Sequence, residues 1–135
     1  MSYVFGRRSR IALDTCELPL KLLAHKAIAT SPMDFSIICG HRGKADQDKA
    51  VKNGTSKVQW PHSKHNSWPS MAFDAVPYPL DWDDLDSFKA LGEHIKATWS
   101  SMDEKDKLNH DLVWGGDWKN FKDYPHFEIV RKRGG

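Results

Sequence analysis

The sequence predicts an α+β fold, a small antiparallel sheet flanked by helices. Two observations carry this. Apolar residues in the first quarter of the chain recur with helical spacing, whereas those from residue 35 onward fall mostly in short runs of strand character. Helices come first and strands follow, with one amphipathic helix between them. That order belongs to an antiparallel sheet with helices rather than to alternating βαβ units.

Residues 9–30 read as helical, with Ile11, Leu13, Leu18, Leu22, Leu23, Ala27 and Ile28 forming an apolar face. Pro19 marks a break and a fresh helix start, and Ser31-Pro32 ends the segment. Phe35-Ser36-Ile37-Ile38-Cys39, stopped by Gly40, reads as a buried strand. Residues 44–52 form a short helix closed by Asn53-Gly54. Residues 55–69, rich in Ser, Lys, His, Trp and Pro, are a loop. Residues 70–77 alternate, with Met71, Phe73 and Ala75 facing one way and Ala72, Asp74 and Val76 the other, which is strand periodicity. Asp81 or Asp83 caps a helix whose stripe is Leu85, Phe88, Leu91, Ile95 and Trp99. Residues 100–111 are a polar connection with room for a helical turn. Residues 112–114 and 126–130 supply the last two strands.

At 135 residues, 39% of them apolar, the chain is read as a single domain over 1–135 with no separate second domain. A net charge of +2 without a clustered basic face argues against a nucleic-acid partner. It suits work near an anionic surface such as a cell wall. No stretch reaches transmembrane length, so no stable membrane association is expected, and the chain is read as a monomer. The N-terminus MSYVFGRRSR lacks an apolar signal core, which implies synthesis in the cytoplasm and release by some other route. Cys16 and Cys39, each among apolar neighbours, read as two reduced, partly buried thiols rather than a disulfide framework.

Seven histidines invite a search for a metal site. His25, His94 and His110 lie on predicted helices or polar connections and read as solvated surface residues; His41 and His62 read as loop residues. His65 and His126 stand apart. His65 closes the loop before the strand carrying Asp74, and His126 opens the last strand with Asp123 three residues earlier. Two imidazoles and a carboxylate make a ligand set for a catalytic zinc, which keeps a fourth position open for water.

The stretch Ser63-Lys64-His65 … Ala72-Phe73-Asp74 resembles the Ser-x-His … Ala-x-Asp motif of the zinc D-Ala-D-Ala carboxypeptidase and L-alanyl-D-glutamate peptidase family. Asp123 and His126 match its second half, an acid three positions before a His. Trp114-Gly115-Gly116-Asp117-Trp118-Lys119 … Tyr124-Pro125-His126-Phe127-Glu128 is similar to the phage endolysin branch, and Gly40-His41-Arg42 with Gln47 is a third match. His65 and Asp74 are nine apart, two more than the family's commonest spacing, with Pro69 in the extra length. That insertion is expected to bulge outward from the loop. Asp123, where the dipeptidase branch has Glu, also matches the phage branch.

The resemblance implies a hedgehog/D,D-peptidase-like zinc peptidase fold. It implies that His65, Asp74 and His126 hold Zn2+, that Asp123 is general base and then general acid, and that Arg42 stabilises the oxyanion or grips a substrate carboxylate. Glu128, which shares a strand face with His126, is the alternative base and otherwise a supporting carboxylate. Ser63 is expected to hydrogen-bond within the site. Asp117 would orient a ligand His or pair with a Lys, and Trp60, Trp68, Trp114 and Trp118 would line the cleft or fill the core. The implied partner is the peptidoglycan stem peptide, and the implied reaction is cleavage of its L-alanyl–D-glutamate bond by a lysis enzyme held in the host cytoplasm until it reaches the periplasm and wall. The alternatives are a D,D-carboxypeptidase or dipeptidase acting on D-Ala termini, and a metal-stabilised wall-binding domain without catalysis.

Overall fold

The computed structural model describes residues 2–132; Met1 and residues 133–135, the ends of the single-domain reading, lie outside them. Helices α1 (Arg7–Asp14) and α2 (Leu18–Thr30) lead into strand β1 (Phe35–Cys39), then α3 (Lys44–Lys52), β2 (Ala72–Pro77), α4 (Leu85–Ser101), α5 (Glu104–Lys107), β3 (His110–Trp114) and β4 (His126–Arg131). Tight helical turns at Lys64–Asn66 and Gly115–Asp117 interrupt the connections. The strands form one sheet in the order β1-β2-β4-β3, every pair antiparallel. This is the α+β class the sequence predicts.

The two faces of the sheet have different jobs. Phe73 pairs with Phe127 across β2 and β4, and both are fully buried with Ala75 and Ile129 in a core shared with Leu20, Leu23, Leu91 and Ile95 of the helices. Burying each such side chain contributes about 1.5–3 kcal/mol relative to leaving it exposed. The alternate residues, Asp74 on β2 and His126 and Glu128 on β4, fall on the opposite face because side chains alternate along a strand.

Several local expectations are corrected. Ile11 and Leu18 are exposed, because α1 and α2 are separate helices whose buried faces differ from those of one continuous helix. Pro19 sits in the first turn of α2, where its missing N–H costs nothing. Neither Asp81 nor Asp83 caps α4: Asp84 does, its carboxylate accepting from Ser87 N at 3.2 Å. Leu85 leaves the helix stripe and remains exposed. β3 starts two residues earlier than residue 112, after α5 and the left-handed residues Leu108 and Asn109.

Candidate metal centre and cleft

Asp74 and His126 are direct cross-strand partners, so the sheet register alone puts a carboxylate beside an imidazole on one face. His65 arrives from the turn Lys64–Asn66. Ser63 starts that turn, its Oγ accepting from His65 N at 3.2 Å while Ser63 N donates to Asn66 Oδ1 at 2.9 Å. The turn is then tied to the end of β1. Arg42 N donates to His65 O at 2.7 Å, and Asn66 Nδ2 donates to Arg42 O at 2.9 Å. A bulge at Ile38 shifts the β1 register so that Cys39, rather than Ile38, stands opposite Asp74. Gly40 follows, and a Cβ there would meet Thr15 Oγ1 at 2.3 Å and Ala12 O at 2.4 Å, so only glycine lets α1 come this close.

One potential ligand atom from each of His65, Asp74 and His126 lies within 4.8 Å of the other two. His65 Nδ1 pairs with Gly40 O at 2.8 Å, leaving Nε2 to face Asp74 Oδ1 at 3.2 Å. His126 Nε2 pairs with Glu128 Oε1 at 2.7 Å, leaving Nδ1 3.6 Å from the same Asp74 oxygen. Each imidazole therefore turns one nitrogen inward and has the other fixed by an outer partner, the arrangement by which proteins orient histidines toward a metal. Two inward nitrogens, one carboxylate and a cleft open to water fit a catalytic metal with a free position.

The charges are strongly coupled. Burial opposes a charged His65, but the carboxylate of Asp74 outweighs it and lifts the imidazole to about 10. Burial likewise opposes a charged Asp74, yet His65 and His126 hold it well below the usual carboxylate range. For His126, burial is outweighed by hydrogen bonds to Asp74 and Glu128, and its pKa is raised. Asp123 moves the other way from Asp74: burial, then the nearby charge of Asp74, raises its pKa despite opposing contributions from His126, His65 and Arg42.

Asp123 lines the cleft, and its backbone is locked by Gly115. Asp123 N donates to Gly115 O at 3.0 Å, and His126 N donates to Asp123 O at 3.1 Å. Arg42 lines the same cleft. Its Nη1 donates to Gln47 Oε1 at 3.0 Å and its Nη2 stands 3.5 Å from Asp74 Oδ2. Gln47 is fully buried and donates in turn to Ser56 Oγ and Val58 O. The five residues singled out for metal binding and catalysis thus all line one cleft of about 1000 Å³.

Other residues fall elsewhere. Asp117 orients no histidine; it pairs with Lys96 at 2.8 Å. Trp114 is buried in the core with its indole N–H donating to Tyr124 O, whereas Trp118 lines the cleft with its ring 5.2 Å from that of His126. Trp60 and Trp68 are exposed, as is Pro69 in the longer His65–Asp74 segment. His110 is buried, pairing with Lys107 O, and half-buried His94 pairs with Ala27 O at 2.8 Å, so neither is the solvated residue the polar surroundings suggest. The cysteines are free thiols; burial pushes Cys16 up to about 12, while Cys39 reaches the cleft wall. Sequence reasoning missed Cys39 there, as well as Trp82 and Phe88. A tryptophan inside the acidic turn Asp81-Trp82-Asp83-Asp84 was the available signal for the latter pair.

The family of phage L-alanyl-D-glutamate peptidases matches residues 1–133. The chain is 34% identical over 134 residues to the L-alanyl-D-glutamate peptidase of Escherichia phage T5, covering 97% of this chain and 92% of the phage protein. It is 31% identical over 112 residues to the peptidoglycan L-alanyl-D-glutamate endopeptidase CwlK of Bacillus subtilis, covering 77% of this chain and 65% of CwlK. Its fold superposes on the crystal structure of the Serratia marcescens L-Ala D-Glu endopeptidase ChiX with a TM-score of 0.74 at 25% identity, over 94% of this chain and 90% of ChiX. A sheet register that pairs a carboxylate with an imidazole, and relatives matched along nearly the whole chain, lead to one assignment: the protein belongs to the phage L-alanyl-D-glutamate peptidase family.

Proposed function

We propose that this protein is a zinc-dependent endopeptidase that cleaves the L-alanyl–D-glutamate bond of the peptidoglycan stem peptide and serves as a lysis enzyme. The observation that carries the reading is the convergence of His65, Asp74 and His126 within 4.8 Å, inside a cleft that Asp123 and Arg42 also line. The phage T5 and Bacillus relatives are named for the same bond, which supports it over D,D-carboxypeptidase action or wall binding without catalysis.

His65 Nε2, Asp74 and His126 Nδ1 would hold the zinc, which would supply the Lewis acidity that makes water a nucleophile near neutral pH. Asp123 takes the proton from the attacking water at its carboxylate and passes it to the leaving amine of D-glutamate. In the metal-free protein burial, then the charge of Asp74, raises its proton affinity. Arg42, braced by Gln47, donates to the oxyanion that develops on the L-alanyl carbonyl oxygen. Glu128 holds the ring of His126 rather than acting as base, because its carboxylate is already engaged with Nε2.

The single domain carries catalysis and wall contact together and works as a monomer at the cell wall. Among the described residues no helix is long and apolar enough to cross a membrane. The test is digestion of purified peptidoglycan by zinc-loaded protein, followed by identification of the new termini. New L-alanyl C-termini and D-glutamyl N-termini, lost in Asp123→Ala with zinc retained, support the proposal. Release of D-alanine alone overturns it in favour of the carboxypeptidase reading, and binding without cleavage favours the wall-binding one.

A further inference from the structure

The cleft is larger than the two residues flanking the scissile bond require. Its volume of about 1000 Å³ is at the upper end for sites that enclose drug-sized ligands. Part of its lining is apolar, with Trp82, Leu85 and Phe88 at the start of α4. Trp82 is 56% exposed, yet it is fixed rather than loose. Its indole stacks on the buried ring of Phe88 with centroids 5.5 Å apart and planes inclined by 16°. The turn that presents it is closed by Asp84 N donating to Asp81 O at 3.1 Å, Asp83 N to Asp81 Oδ1 at 3.0 Å and Leu85 N to Asp83 O at 3.0 Å. One part of the indole covers Phe88, and the rest stands open to water where Trp82 lines the cleft.

The segments that line the cleft differ in charge. The Trp82 turn is acidic, with Asp81, Asp83 and Asp84 around it, whereas the cleft segments 55–58 and 118–122 carry Lys57, Lys119 and Lys122. Those two basic segments meet where Lys57 Nζ lies 5.4 Å from the ring centroid of Phe121. The cleft thus offers lysines that can pair with the carboxylates of a substrate and an aromatic surface, Trp82, that can take an uncharged part of it. The stem peptide is such a substrate. The glutamate side of the bond bears the free carboxylates, while the L-alanine is joined through a lactyl group to an uncharged N-acetylated sugar. Sugar rings present C–H groups of partial positive charge that settle on the electron-rich face of an aromatic ring.

We infer that Trp82 is a stacking platform for the N-acetylmuramoyl sugar of a glycan-linked stem peptide, so that the enzyme prefers peptide still attached to its sugar. The inference rests on the function proposed above. The test compares kcat/KM for an N-acetylmuramoyl stem peptide with that for the same peptide carrying only an N-acetyl group on L-alanine. Zinc-loaded wild type favours the sugar-linked substrate roughly tenfold, mainly through KM, and Trp82→Ala brings the ratio toward one. Should Trp82→Ala lose its thermal transition, Trp82→Leu, which keeps apolar cover over Phe88 without a π face, carries the comparison. Equal rates of wild type on both substrates, or a variant that loses both activities in proportion, overturn the platform while leaving the function standing. Failure of wild type to cleave either substrate overturns the function, and the platform with it.

Discussion

His126 Nε2 lies 2.7 Å from Glu128 Oε1, two residues along the same strand and on the same face. The contact fixes which ring nitrogen faces Asp74 and raises the basicity of the imidazole. Glu128→Ala therefore weakens zinc binding about 10–100-fold while retaining a measurable kcat at saturating zinc. Zinc titration against a competing chelator reads the first effect. A Glu128 acting as base would instead abolish kcat with metal affinity intact.

Metal binding must displace a proton. In the metal-free protein His65 is lifted to about 10, so at pH 7 its imidazole is protonated and paired with ionised Asp74. The His65 contribution to metal-free stability is fully present below its ordinary value of 6.5 and is lost as pH rises through about 10. The Asp74 contribution, from a lowered pKa, is present above the ordinary carboxylate range and is lost on strong acidification. Zinc requires the neutral imidazole, so its apparent affinity rises roughly tenfold per pH unit around neutrality, with about one proton released from the protein. Calorimetry in buffers of different ionisation enthalpy counts that proton.

Asp123 shows the opposite electrostatics from Asp74 although both are cleft carboxylates. Burial and the charge of Asp74 raise its pKa in the metal-free protein, so there it takes up its proton above the ordinary aspartate range. Asp123→Asn keeps zinc and lowers kcat by about 10²–10⁴. Carboxylate titration of the metal-free protein by NMR checks the first statement, and metal analysis with kcat of the variant checks the second. Unchanged kcat in Asp123→Asn would remove it from the mechanism.

Much of this arrangement is legible in the sequence because strand alternation and short motifs are local. The alternation around Phe73 and Asp74 separates core from site, and the register then makes Asp74 and His126 neighbours. What the sequence conceals is set by contacts between distant segments. Gly40 is indispensable only because Thr15 and Ala12 press on it from α1. His110 and His94 look like surface residues because their partners, Lys107 O and Ala27 O, are backbone atoms that no side-chain pattern reveals. Trp82 and Phe88 reach the cleft because α4 begins a turn later than an Asp81 cap would start it.

Gly115, next to Trp114 in the chain, and Gly92, packed against its indole, separate support of the catalytic loop from support of the core. A Cβ at Gly115 would stand 2.2 Å from the carbonyl oxygen of Asp123 and 3.0 Å from its Cβ, so the backbone carrying the proposed base must move. A displacement of about 1 Å is enough to cost roughly 10²-fold in rate. Gly115→Ala thus lowers kcat about that much while His65, Asp74 and His126 keep their metal. At Gly92 a Cβ would instead meet the indole of Trp114 at 2.2 Å, inside the core. Overpacking there costs about 1–3 kcal/mol of stability, so Gly92→Ala lowers the thermal midpoint with a much smaller change in kcat. Measuring melting temperature, zinc content and kcat for both variants decides the matter: equal loss of rate in the two would mean that Gly115 supports folding alone and does not position Asp123.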